Sequence, residues 1–290
     1  MKPTIKWTVL ALAICLPLSA QAHRAWMLPS ATVLSGEDPW VTVDAAVSND
    51  LFYFEHFPMR LKGIGDDSAP AGGRPGMPPR PTPELLVLAP DGSQAQAENG
   101  SRGRYRSTFD VHLTQKGTYK LAVVNDGLFA SWKAGGETRR WMGTAEQFAK
   151  DVPADAEALK VSQNSNRMEV FVTSGSPTKT VLKPTGKGLE LSPVTHPNDL
   201  FAGEAAEFVF LLDGKPAEDV EISVIPGGNR YRDELGEIKA KTDAQGKASI
   251  TWPEAGMYWL EAELKTDKGV TKPATERRAS YSATLEVLPQ

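Results

Sequence analysis

The 290-residue chain holds four histidines and one cysteine, the side chains best suited to bind a transition metal. Position matters more than number here. His23 directly follows Ala20-Gln21-Ala22, an A-x-A sequence of the kind cut by signal peptidases. Upstream stand Lys2 and Lys6 and then an apolar run over residues 7–18, so residues 1–22 read as a secretory signal peptide. That run is shorter than the roughly 20 apolar residues needed to cross a bilayer. Cleavage after Ala22 makes His23 the first residue and gives it a free α-amine beside its imidazole Nδ1. Both nitrogens can chelate one metal ion, and a second imidazole supplies a third nitrogen, an arrangement known as a histidine brace. Nitrogen donors of this kind suit copper, nickel, zinc and iron, and tetragonal sets favour Cu(II) or Ni(II). The amine deprotonates readily, with an ordinary pKa of about 7.7–8.0.

Three histidines compete to complete the set. His56 lies in Phe52-Tyr-Phe-Glu-His-Phe-Pro-Met59, an aromatic segment just before a Pro/Gly-rich stretch. Glu55 beside it is a candidate orienting group or ligand, and Met59 a soft donor suited to Cu(I). His112 falls between Val111 and Leu113 on a strand, where alternation turns it away from both. His196, in Thr195-His-Pro-Asn-Asp199, reads as a surface-turn histidine. The metal set expected from the sequence is therefore His23 with His56, and His112 as the next choice. The only cysteine, Cys15, leaves with the signal, which excludes thiol chemistry, zinc–thiolate sites and disulfides from the mature chain. No G-x-S-x-G elbow, H-E-x-x-H pair, P-loop or EF-hand loop occurs.

The elements that must position these residues are nearly all strands. Residues 40–47, 84–88, 168–173, 189–194, 206–212, 220–225, 237–242, 248–252, 257–264 and 281–287 are β-rich or alternating. Residues 104–113 and 118–124, joined at Lys116-Gly117, read as a hairpin. Helix is confined to residues 144–150, where Thr144 and Gln147 form a capping-box pattern, with a second short piece expected near 154–159 after Pro153. The Pro/Gly-rich stretch within residues 62–83 can form neither ladder nor helix and reads as a long loop, either a mobile insertion or a lid.

Together these features predict an all-β protein of two β-sandwich (immunoglobulin-like) domains. The first is larger, with the Pro/Gly-rich loop and a short helical insertion. The boundaries expected are a signal peptide at 1–22, an N-terminal β-rich domain at 23–183, a linker at 184–188 and an immunoglobulin-like domain at 189–290. The whole chain carries a net charge of −4. The signal takes two of the 32 basic side chains and none of the 36 acidic ones, so the mature charge is −6. Without a basic excess to neutralise phosphates, nucleic acid is not an expected partner, and no membrane insertion of the mature chain is expected.

His23-Arg-Ala-Trp-Met-Leu-Pro-Ser30 resembles the start of a family of secreted bacterial proteins, formally a domain of unknown function, often labelled as periplasmic components of cobalt or nickel transport systems. Segments Leu211-Leu-Asp-Gly-Lys-Pro216 and Thr242-Asp-Ala-Gln-Gly-Lys-Ala248 are similar too, though such segments recur in many bacterial immunoglobulin-like modules. The resemblance covers essentially the whole mature chain and adds weight to His23 alone. It implies handling of cobalt or nickel in the periplasm; taken with the brace chemistry, the expected cargo is a divalent nickel, cobalt or copper ion and the expected partner a membrane metal transporter. Two other classes stand beside this expectation: a metal-free envelope binding or structural module, and a copper histidine-brace oxidoreductase.

Overall fold

The computed structural model describes residues 23–66 and 82–290. The signal peptide read at 1–22 and most of the Pro/Gly-rich stretch lie outside the described residues. The first half contains β1 (Arg24–Pro29), β2 (Val33–Leu34), β3 (Trp40–Ser48), β4 (Phe57–Pro58), β5 (Leu85–Leu88), β6 (Gln94–Ala95), β7 (Glu98–Arg102), β8 (Ser107–His112), β9 (Gly117–Ala134), β10 (Glu137–Gly143), the helix α1 (Ala145–Asp151) and β11 (Glu157–Ser174). The second half follows with β12 (Leu189–Pro193), β13 (Ala205–Leu212), β14 (Lys215–Pro216), β15 (Glu221–Pro226), β16 (Ile238–Lys241), β17 (Lys247–Thr251), β18 (Gly256–Thr266) and β19 (Glu276–Val287). The protein is mostly β-strand, arranged in several sheets.

A five-stranded sheet has the order β1-β3-β8-β7, with β4 also paired to β3. Alternation explains its inner face. Val41, Val43 and Ala45 of β3 and Phe109 and Val111 of β8 are fully buried, while Trp40, Thr42, Thr108 and Asp110 between them are not. These side chains pack against Val87, Tyr119, Leu121, Val170 and Val172 of β5, β9 and β11. In the second half Leu191, Phe208, Phe210 and Ile250 meet Ile222, Tyr258, Leu260, Tyr281 and Leu285 across a second core.

One ten-stranded sheet runs through both halves, in the order β16-β15-β18-β19-β11-β9-β5-β6 with β10 and β2 alongside. The join is a parallel pairing of residues 162–170 with residues 276–284. A third apolar seam, Trp26, Ala46, Leu51, Ile225 and Trp259, closes the two halves at one end. Residues 184–188, expected as a linker, wrap the buried Glu190 carboxylate. It accepts from the amides of Thr185 (2.8 Å), Gly186 (2.7 Å) and Lys187 (3.2 Å) and from Thr185 Oγ1 (2.8 Å).

Two local expectations are corrected. The strands expected as a hairpin, β8 and β9, belong to different sheets, because both edges of β8 are taken by β3 and β7. The second helical piece is extended, since β11 starts at Glu157. The expected helix at 144–150 forms with both capping-box bonds: Thr144 Oγ1 accepts from Gln147 N (3.3 Å) and Gln147 Oε1 from Thr144 N (3.0 Å).

Candidate metal centre

The site is built at one end of β3. On one edge β1 pairs with it in antiparallel register, Arg24 opposite Ser48. On the other edge β4 pairs with its last residues, Phe57 opposite Val47. His23 is the residue before β1 and His56 the residue before β4, so the two histidines flank the end of β3 from opposite sides. Neighbouring strands lie about 4.8 Å apart, which puts β1 and β4 about 10 Å apart. The two side chains lean over the end of β3 and close that gap: their ring centroids are 3.9 Å apart at 34°. Phe57 backs the pair, 4.6 Å from His56 and 6.0 Å from His23. Both histidines and Phe57 are exposed, so an ion in solution has access.

Metal–imidazole bonds run about 2.0–2.1 Å, so two rings on adjacent positions of one ion have centroids about 4.5 Å apart, close to the spacing of this pair. Linear placement requires the centroids to part by roughly 2 Å, given the same bond length. Among the described residues no group of three or more His, Cys, Asp or Glu side chains could hold a metal. Two imidazoles alone are an incomplete set. Cleavage before His23 would free an α-amine, a further nitrogen donor on the same residue.

The loop leading to His56 is tightly fastened. Glu55 Oε1 accepts from the amides of Asn49 (2.7 Å) and Asp50 (3.2 Å), closing residues 49–55 into a ring. Burial pulls the Glu55 pKa up, but those two amides, helped by Arg230 and His56, hold it below its ordinary value. Glu55 Oε1 therefore fastens the backbone of this loop. Within the ring Phe52 adopts a left-handed conformation, φ 61°, unusual for a bulky residue. It packs edge-on to Trp26 (5.5 Å). Gly227 lies beneath it, where an added Cβ would stand 2.8 Å from the Phe52 ring.

The remaining sequence candidates lie elsewhere. His112 faces away from Val111 and Leu113 as alternation requires, but Trp40, its partner in register, is at the opposite end of β3 from Ser48. Eight residues of strand put it about 26 Å from the His23–His56 pair. There it stacks on Trp40 (4.2 Å, 7°) and hydrogen-bonds Asp38 through Nε2. Met59 is buried among the core side chains of the first half, so its thioether is not at the site. His196 is not a surface residue: it is 8% exposed at the junction of the halves. Its Nδ1 accepts from Asn198 N (3.0 Å) and its Nε2 faces Thr178 O (3.1 Å) and Thr118 Oγ1 (3.2 Å).

Beside the pair, the Arg24 guanidinium sits over the Trp259 ring at 5.4 Å. Trp259 Nε1 donates to Ala25 O (3.2 Å), fixing β1 against β18. Glu261, two residues along β18, has its pKa pushed up to about 7, first by burial and then by Glu263, with Arg24 opposing. A separate cleft of about 420 Å³ lies at the junction, lined by Asp126, Ser165, Lys187, Asp213 and Arg277 among others. The Asp213 carboxylate there is already paired with Arg277 and with Gly188 N.

Sequence reasoning missed Asp50, Asn229 and Arg230, which tie this loop to the second half. They are ordinary polar residues almost 180 positions apart, without a local pattern to mark them.

No curated protein matches this chain in sequence. Among solved structures, the D0-D1 domain of intimin is 10% identical, with 90% of this chain and 97% of that one covered and a TM-score of 0.22. The D00-D0 domain of intimin is also 10% identical, covering 91% and 100%, at a TM-score of 0.19. The model of a domain of unknown function, DUF4198, matches residues 20–266, and the chain belongs to that family.

Proposed function

We propose that this is a periplasmic transition-metal-binding protein, an accessory to nickel, cobalt or copper uptake that holds one ion for a membrane transporter. The observation that carries the reading is the contact between the His23 and His56 rings at 3.9 Å, on the residue that signal cleavage would expose. In this reading residues 1–22 are removed on export, and 23–183 and 189–290 are two sandwich modules joined at 184–188. The amine and Nδ1 of His23 and one nitrogen of His56 hold the metal. A three-nitrogen set on an exposed edge leaves positions open, and an ion that must be handed on needs such exchangeable positions. The donors are neutral nitrogens without a thiolate or thioether, a set on which Cu(II) binds more tightly than Ni(II) or Co(II). Selection of nickel or cobalt would therefore rest on supply and on the partner.

The test is a competitive titration of Cu(II), Ni(II), Co(II) and Zn(II) into exported protein whose first residue is His23. The control carries one additional N-terminal Met, which converts the amine to an amide. One-to-one binding is expected, with most of the affinity lost in the control and in His56→Ala, and no loss in His112→Ala. Equal weak binding by parent and control would remove the reading and leave a metal-free envelope module in its place.

A further inference from the structure

Both halves of the imidazole pair are fastened to one residue, and that residue is held from the other half of the molecule. Asp50 is the node. On the β1 side, Trp26 Nε1 donates to Ser48 Oγ (2.8 Å) and Ser48 Oγ donates to Asp50 O (2.6 Å). On the β4 side, the Asp50 amide donates to Glu55 Oε1 (3.2 Å), one residue before His56. The second half then grips the node through the turn after β15. Asn229 Oδ1 accepts from Leu51 N (2.8 Å) and Asn229 Nδ2 donates to Asp50 Oδ1 (3.1 Å). Arg230 pairs with Asp50 Oδ2 (3.6 Å) and lies over the Tyr53 ring at 4.0 Å.

We infer that Asn229 and Arg230 are positioning residues of the His23–His56 site: acting through Asp50 and Glu55, they fix where the His56 ring stands relative to His23. The inference rests on the metal reading above. Outer-shell partners of metal ligands orient the ligand ring, and losing one typically costs about ten- to a hundredfold in metal affinity. Asn229 accepts and donates at once, which fixes the angle of the loop as well as its distance. The flat guanidinium of Arg230 spans the Asp50 carboxylate and the Tyr53 ring, a double role that a lysine does not reproduce. Binding coupled in this way is reciprocal, so a metal at the pair must also tighten the junction.

The experiment is a double-mutant cycle on exported protein, with Cu(II) alone as the probe against a competing chelator. Asn229→Ala and Arg230→Ala are each combined with His56→Ala, and thermal unfolding of every variant is followed in parallel. Arg230→Ala serves alone should Asn229→Ala fail to fold. Each single change is expected to weaken Cu(II) binding about tenfold, the lower end for an outer-shell partner, and to shift the Cu(II) spin-resonance spectrum. The effect is expected to vanish in the His56→Ala background, and hydrogen exchange at the Leu51 amide is expected to slow when Cu(II) is added. Parent-like affinity in Asn229→Ala and Arg230→Ala, with binding lost in His56→Ala, would overturn the inference and leave the metal reading standing. An equal weakening with and without His56 would also overturn it, as general destabilisation. Unchanged binding in His56→Ala would overturn both.

Discussion

At the residue scale, two side chains outside the imidazole pair make stability depend on pH in opposite senses. Burial depresses the His196 pKa below its ordinary value of 6.5, against the Thr178 carbonyl and Asp199, which raise it. The neutral ring is required, because its Nδ1 accepts from Asn198 N (3.0 Å) and a proton there would face a donor. The unfolded chain binds the proton more readily than the folded one, so stability is full above pH 6.5 and declines as the pH falls below it. Glu261 works the other way. Its folded pKa of about 7 lies above the ordinary 4.5, so the folded state binds the proton more readily, and stability declines as pH rises from 4.5 to about 7. Unfolding midpoints measured from pH 4.5 to 8 should show Glu261→Gln gaining stability at pH 8 relative to the parent. His196→Gln should flatten the decline below pH 6.5. Unchanged slopes in both variants would show these groups to be solvated. The sequence singles out His23 by a local argument, the cleavage expected just before it. His196 was misread because Pro197-Asn-Asp199 marks a turn without saying whether anything packs over it; here Thr118, Thr173 and Thr178 of the first half do.

At the element scale, local chemistry was legible where an element satisfies itself. The α1 capping box needs only Thr144 and Gln147, and both bonds form. Replacing Thr144 with Ala should cost about 1 kcal/mol of local helix stability. Hydrogen exchange should quicken over residues 145–151 while the global unfolding midpoint moves little, because no α1 residue is buried. A large global shift would mean that the Trp141–Phe148 contact, an edge-on stacking at 5.5 Å, transmits the loss to the β9–β10 arm. Strand positions were legible from alternation, but pairing was not. Alternation in β8 fixes that Phe109 and Val111 face inward and His112 outward; it carries no information on which strand lies alongside. After His112 the chain crosses from one sheet to the other, with Leu113 N donating to Pro39 O (3.0 Å) and Gln115 N to Tyr119 Oη (2.8 Å). His56 is the partner the sequence favours for His23, but the strand pattern alone does not decide their contact. It depends on β1 and β4 sharing the end of β3, a statement about three strands rather than one.

At the scale of the molecule, β19 is the element on which both halves converge. It lies between β18 and β11, antiparallel to one and parallel to the other. Beside that join sits a buried charge cluster. Glu169 faces Arg167 (3.2 Å) and Lys120 (3.6 Å), accepts from Tyr281 Oη (3.1 Å), and shares Arg167 with Glu190 (3.4 Å). Leaving such a charge unpartnered costs about 3–5 kcal/mol. A single cooperative unfolding transition is therefore expected for the whole chain by calorimetry. Removing residues 276–290 should abolish folded structure in the first half as well as the second. A truncated chain that retained the native signal of β9 and β11 would show the halves to be independent. The position of β19 also sets the order of events during synthesis. Every other strand of the ten-stranded sheet leaves the ribosome while the places on β11 and β18 that β19 will fill are still bare. Open edges of this kind recruit other chains. Docking of β19 is thus the one event that turns two exposed ladders, on β11 and on β18, into the continuous interior of a sheet.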